Sequence, residues 1–318
     1  MLVLHRDERR WEDRMFREFP EFLHLGDCLV LNNSRVFPSR ILGHRAGTRS
    51  LPVGNNNPKR REYLSGQVEI LLVRPVSEDR KTWEALVRPG RKMRTGERVL
   101  FGEGMEAEII SRGEFGQRII HFQTSSNVYE VLDRLGHVPL PPYIKREDRP
   151  EDRERYQTVF ASEKGSVAAP TAGLHFTPEI LDQCRAAGCD VVYITLHVGL
   201  GTFQPVRGAT LHAESFSVPE DSAGRIRDAR RLVCVGTTSA RTVESMMLGK
   251  VGETDLFIRP GFQFRITGAL LTNFHLPESS LLMLACAFGG QEFVLDAYRH
   301  AVEAGYRFYS YGDCMLIV

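Results

Sequence analysis

The sequence predicts an α/β fold, a main α/β domain with a small β-barrel domain inserted into it. Three observations carry this prediction. From Gln67 onward, short apolar runs recur at regular spacing between Gly, Pro and charged turns, as in a small barrel. The C-terminal half instead alternates helix-sized segments with short strands, the rhythm of βαβ units. The chain has 318 residues, more than one core usually serves, so about two domains are expected. Residues 1–42 and 138–318 are assigned to the α/β part and 43–137 to the barrel.

Taken in order, residues 11–25 place Phe16, Phe19, Phe22 and Leu23 at helix-like intervals, broken by Pro20 and closed by Gly26. A buried strand follows over 28–31. Residues 46–66 lack apolar periodicity and read as an exposed loop. Barrel strands are expected at 68–73, 83–87, 98–101, 107–110 and 118–122, then a helix at 128–135 and a stiff Pro-rich return at 139–143. Helices are expected at 178–187, 221–230, 239–248, 279–287 and 292–304, and strands at 191–197, 232–235 and 306–311. Thr177 and Pro178 form a cap and first-turn pair, and Gly188 closes that helix.

Charge is balanced, 41 Lys and Arg against 40 Asp and Glu, which argues against a surface coated for indiscriminate nucleic-acid binding. No run of about 18 apolar residues exists and the N-terminus turns charged after four residues. Neither a membrane span nor a secretory signal is expected, so the chain is assigned to the cytoplasm. The six cysteines are scattered, several in apolar runs, the pattern of reduced buried thiols. Cys184 and Cys189 have no neighbouring His, and no metal is expected.

Four loops concentrate Gly, Thr, His and Phe beside predicted strands, where open α/β sheets place ligands. They are AAPTAGLHF (168–176), TLHVGLGTF (195–203), VGTTS (235–239) and TNFHLPESS (272–280). His175 is a base or a structural His in a tight turn. His197 ends an apolar strand and either reaches a crevice or caps the sheet. The amides of Thr237, Thr238 and Ser239 open a helix and suit a carboxylate or phosphate, although a plain capped turn fits equally. Phe274 offers a stacking face or fills the core; His212 and Glu214 form an H-x-E pair on one side of an extended segment, a proton-transfer pair or a surface pair. Neither G-x-G-x-x-G nor G-x-x-x-x-G-K-[ST] occurs at these loops, so hydride transfer, nucleotide hydrolysis and conventional methyl transfer lose their usual support.

In ordered series these segments, with GDCLVLNNSRVFPSRILG, LPPYIKRED, ERYQTVFA, FIRPGFQF and YRFYSYGDCMLI, resemble one family over nearly the whole chain. It is that of the S-adenosylmethionine:tRNA ribosyltransferase-isomerases of queuosine biosynthesis. The resemblance implies a transferase and isomerase that consumes S-adenosylmethionine as co-substrate. Its ribosyl part moves to 7-aminomethyl-7-deazaguanine (preQ1) at the tRNA wobble position, giving epoxyqueuosine with release of adenine and methionine. It also implies the α/β domain with an inserted barrel, and a tRNA partner; a monomer is expected.

That chemistry needs a base near neutrality, for which His175 or His197 is the candidate, with His212 and Glu214 in support. Thr237, Thr238, Ser239 and Arg241 are candidates for the methionine carboxylate, and Phe203, Asn273, Phe274 and His275 for the adenosyl pocket. Arg35, Arg40, Arg88, Arg91, Lys92, Lys145 and Arg146 are candidate phosphate contacts. Asp313 is either a base-edge contact or the end of a turn. Departures from the family are the absence of about two dozen residues before Leu2, Asn33 and Gly268 where Asp is usual, and a long 46–65 segment. They motivate an alternative, a tRNA-binding homologue with impaired catalysis.

Overall fold

A computed structural model describes residues 1–46, 66–90, 93–113, 116–141, 143–199 and 211–318. The chain forms two compact units, 1–35 with 155–318, and 36–154. The joints thus fall at 35/36 and 154/155, where the sequence reading had 42/43 and 137/138. The reason is that the strand Arg40–Arg45 pairs along two barrel strands and so belongs to the insert.

The chain opens with β1 (Leu2–His5) and β2 (Arg10–Asp13), an antiparallel pair. A short 3-10 segment over Phe16–Phe22 follows, then β3 (Asp27–Asn32), buried along its whole length, and β4 (Ser34–Val36). Phe16, Phe19 and Phe22 are three apart, the period of a 3-10 helix, so the expected α-helix over 11–25 is replaced by a strand and this tighter turn.

In the second unit β5 (Arg40–Arg45), β6 (Gln67–Pro75), β7 (Thr82–Arg88), β8 (Arg98–Leu100), β9 (Glu106–Arg112) and β10 (Gln117–Gln123) close into a barrel, ordered β10-β7-β6-β5-β8-β9. Alternation of buried and partly exposed residues along β6, β7 and β10 puts Val68, Ile70, Leu72, Trp83, Ala85, Ile120 and Phe122 inside. Helix α1 (Val128–Leu135), capped by Asn127, lays Tyr129 edge-on against Trp83 and Phe37.

The first unit resumes with β11 (Glu163–Ser166), a 3-10 turn over Thr171–His175, α2 (Pro178–Ala186), β12 (Asp190–Leu196), β13 (Glu214–Ser217), α3 (Glu220–Asp228), β14 (Arg231–Val235) and α4 (Thr237–Met247). It ends with β15 (Glu253–Thr254), β16 (Thr267–Asn273), α5 (Ser280–Gly289), α6 (Gln291–Glu303) and β17 (Cys314–Ile317). The nine-stranded sheet is ordered β15-β13-β12-β3-β14-β16-β17-β1-β2. Its centre, β12-β3-β14-β16, is parallel, so four strand carboxyl ends share one edge.

Central strands are apolar on both faces because core lies on each side, one cluster around Val30, Ile194, Cys234 and Leu270, the other around Leu29, Leu31, Val233 and Leu271. Thr177 caps α2 as expected, with Pro178 in its first turn. Residues 306–311 are not a strand; the last strand is β17, and its predecessor packs aromatic rings on Phe274. All six cysteines are buried free thiols, with burial pushing their thiols up, Cys184 and Cys286 to about 11. Among the described residues no single helix is long and apolar enough to cross a membrane.

Candidate active site

Asn32, the last residue of β3, ties the shared strand edge together. Its Nδ2 donates to the Leu196 carbonyl at 3.0 Å and to the Thr238 hydroxyl at 3.3 Å, and its Oδ1 accepts from the Leu196 amide at 3.1 Å. An amide at 0% exposure with all these bonds made fixes three chain segments together. Sequence reasoning missed it; its signal was one polar residue ending an apolar run.

At the same edge, α4 begins on Gly236 with φ +89°, so the amides of Thr237, Thr238 and Ser239 open a helix beside Asn32. The Ser239 hydroxyl turns back to the Val235 carbonyl at 2.8 Å. Thr237 and Ser239 are buried, Thr238 partly so.

His175 ends the 3-10 turn Thr171–His175, and its Nε2 lies 3.3 Å from Asn273 Oδ1 at the end of β16. Phe16 packs on the ring at 5.1 Å between centroids, a neighbour the sequence did not suggest. Burial holds this imidazole below the usual histidine range, the Asn273 bond acting the other way. His175 is therefore neutral near pH 7, the form that accepts a proton.

His197 directly follows β12, its amide donating to the Ser215 carbonyl at 3.0 Å. The ring lies over Gly165, where an added Cβ would sit 2.8 Å from it; Nδ1 is buried with no partner among the described residues. Burial lowers its proton affinity, against the nearby Glu163. Its described surroundings are β11, not His175.

Several expectations are corrected. Glu214 is buried while His212 is exposed and precedes β13, so the two do not share a face: regular alternation begins only at Glu214. Arg241 pairs with Glu214, and Glu214 also accepts the Gly199 amide at 2.7 Å, so Arg241 has its charge already matched inside the protein. Burial lowers Arg241 to about 10. Phe274 is fully buried among Tyr298, Tyr306 and Phe308, a core residue and no pocket wall. His275 is buried with Nε2 2.6 Å from the Thr272 hydroxyl and is lowered to about 4 by desolvation. Asp313 follows the second of its two readings and closes a turn, accepting the Arg307 amide at 2.8 Å. Phe203, Arg91 and Lys92 lie outside the described residues.

The other candidate phosphate contacts differ in readiness. Arg88 and Lys145 are exposed. Arg40 pairs with Glu69 at 3.1 Å, Arg146 grips Asp152 through two bonds of 2.6 and 2.8 Å, and Arg35 donates to the Ala161 carbonyl at 3.4 Å. Beneath the turn after Arg88, buried Arg118 donates to the carbonyls of Gly90, Met93 and Gln117.

Of the two positions where the resemblance leads one to expect Asp, Gly268 occupies a bulge between β14 and β16, near the start of β16 and so at the end of the sheet away from Asn273. Asn33 accepts the Thr195 hydroxyl at 2.7 Å just beyond β3.

A family profile described as "Queuosine biosynthesis protein" matches residues 1–317. The chain belongs to this family. It is 65% identical to the S-adenosylmethionine:tRNA ribosyltransferase-isomerase of Solibacter usitatus and 43% identical to that of Desulfitobacterium hafniense, each match covering 100% of this chain and 92% of the relative. The fold is similar to a crystal structure of S-adenosylmethionine tRNA ribosyltransferase from Thermotoga maritima, with TM-score 0.52, 36% identity, and coverage of 100% of this chain and 91% of that one. Together with the mixed sheet and closed barrel, this likeness bears out the α/β class with an inserted barrel.

Proposed function

We propose that this chain is an S-adenosylmethionine:tRNA ribosyltransferase-isomerase, moving the ribosyl part of S-adenosylmethionine to preQ1 at the tRNA wobble position with release of adenine and methionine. Family membership over residues 1–317 and relatives of that name at 65% and 43% identity support the reaction class. The single structural observation that supports the site is the neutral His175 held by Asn273 at the carboxyl edge of the sheet.

In this reading His175 removes the proton from the ribose carbon beside the sulfonium, which the positive sulfur acidifies. A positioned base of this kind contributes typically ~10²–10⁴-fold. The amides opening α4 hold the methionine carboxylate, and exposed Arg88 and Lys145 contact tRNA phosphates. The enzyme works as a cytoplasmic monomer. No described feature favours a binding protein without catalysis.

Incubation with S-adenosylmethionine and preQ1-bearing tRNA should release adenine in step with tRNA modification. Adenine release that does not depend on that tRNA would refute the proposal.

A further inference from the structure

Asn273 is more than a wall of this edge. Its Nδ2 donates to the Tyr309 carbonyl at 2.9 Å and lies 3.4 Å from that of Ser310. Turning the amide over would set its oxygen against those two carbonyls, so the orientation is fixed and Oδ1 faces His175 as an acceptor. An acceptor at that position requires a proton on His175 Nε2.

The carbonyls that fix the amide come from a tightly built turn. Tyr309 has φ +74°, an unusual backbone for a tyrosine. A Cβ on Gly312 would lie 2.4 Å from the Arg307 and Phe308 backbone, so only glycine fits. Asp313 locks the turn, its carboxylate accepting the Arg307 amide and its own amide donating to the Arg307 carbonyl at 2.7 Å. His175 Nδ1 forms no hydrogen bond with a described residue and is not sealed from solvent.

We infer that Asn273 is a positioning residue that holds His175 as the Nε2–H tautomer, leaving Nδ1 as the nitrogen that accepts the substrate proton. The turn at 307–313 sets Asn273, and Asn273 sets the imidazole. The inference rests on the proposed reaction only for what Nδ1 does; the tautomer itself is a property of the free protein.

The experiment uses nitrogen-15 NMR of the full chain labelled at histidine, with His175→Gln to assign its signals. Wild type should show His175 protonated at Nε2 and bare at Nδ1. Asn273→Ala should give a mixture of tautomers, and Asn273→Asp should raise the pH at which His175 titrates. In parallel, kcat for adenine release should fall about 10–100-fold in Asn273→Ala, with KM for S-adenosylmethionine little changed and the acid limb of the pH profile moved. A proton on Nδ1 in wild type, or an unaltered tautomer in a folded Asn273→Ala, overturns the inference. Failure of the wild-type protein to release adenine counts against the reaction and leaves the NMR result to decide the tautomer.

Discussion

Glu214 and Arg241 face each other as an ion pair inside the α/β unit, with 6% and 12% of their side chains exposed, and the Gly199 amide donates to the same carboxylate. The pair thus anchors the chain leaving β12 to the start of α4's second turn. Removing one partner leaves a charge without compensation in a dry place. Glu214→Gln should cost about 3–5 kcal/mol in denaturant unfolding, and Glu214→Leu with Arg241→Met should recover much of it. A double variant no better than the single one would show that the pair is not the origin of the loss.

The proton affinity of His175 is lowered by burial, which fixes the direction of the pH dependence. Activity requires the neutral imidazole, so the acid limb of kcat/KM for adenine release should lie below the ordinary histidine value of 6.5. His175→Gln, which keeps a donor toward Asn273, should lose ~10²–10⁴-fold in kcat while still binding S-adenosylmethionine. Calorimetry alongside a turnover assay separates the two.

His275 titrates near 4 when folded, against 6.5 when exposed. Below 6.5 the unfolded chain takes up a proton that the folded chain refuses, so stability is full above that pH and is lost as pH falls toward 4. The loss amounts to roughly 3 kcal/mol at 1.36 kcal/mol per unit. His275→Gln, which keeps a polar partner for Thr272, should flatten the fall of the urea midpoint across that window.

Gly165 lies under the His197 ring, and a methyl there would stand 2.8 Å from it. Its φ of +152° adds backbone strain for any other residue. Gly165→Ala should lower stability by about 1–3 kcal/mol and displace the imidazole. Thermal unfolding together with the His197 side-chain NMR signals would check both consequences.

Arg88 and Arg146 should behave differently toward tRNA. Exposed Arg88 should, as Arg88→Ala, reduce the slope of log affinity against log salt by about 0.7–0.9. Arg146 is committed to Asp152, so Arg146→Ala should act mainly on the stability of the barrel unit, seen by hydrogen exchange. Equal salt slopes for both variants and wild type would remove Arg88 from the interface.

Much of this architecture was legible from sequence wherever local pattern decides structure. Alternation in 68–73 and 118–122 marked barrel strands, and Thr177 and Pro178 marked the start of α2. Legibility failed where distant contacts decide. YRFYSY alternates like a strand, but Gly312 and the left-handed Tyr309 bend it into a turn whose rings cover Phe274. Four-residue β1 and β17 are too short to show a period and exist because each pairs the other across the sheet. At the site, His175 and the opening of α4 were visible as motifs. Asn32 was not, because its partner Leu196 is 164 residues away. The Glu214–Arg241 pairing was equally hidden, since either charge alone reads as available to a ligand.

β3 emerges early, yet both strands that flank it, β12 and β14, are translated only after the entire barrel. Contiguous barrel strands can close on themselves while β3 waits without neighbours, its apolar length open to any passing edge. Residues 27–32 are thus an apolar strand that the growing chain leaves unpaired until β12 and β14 have followed.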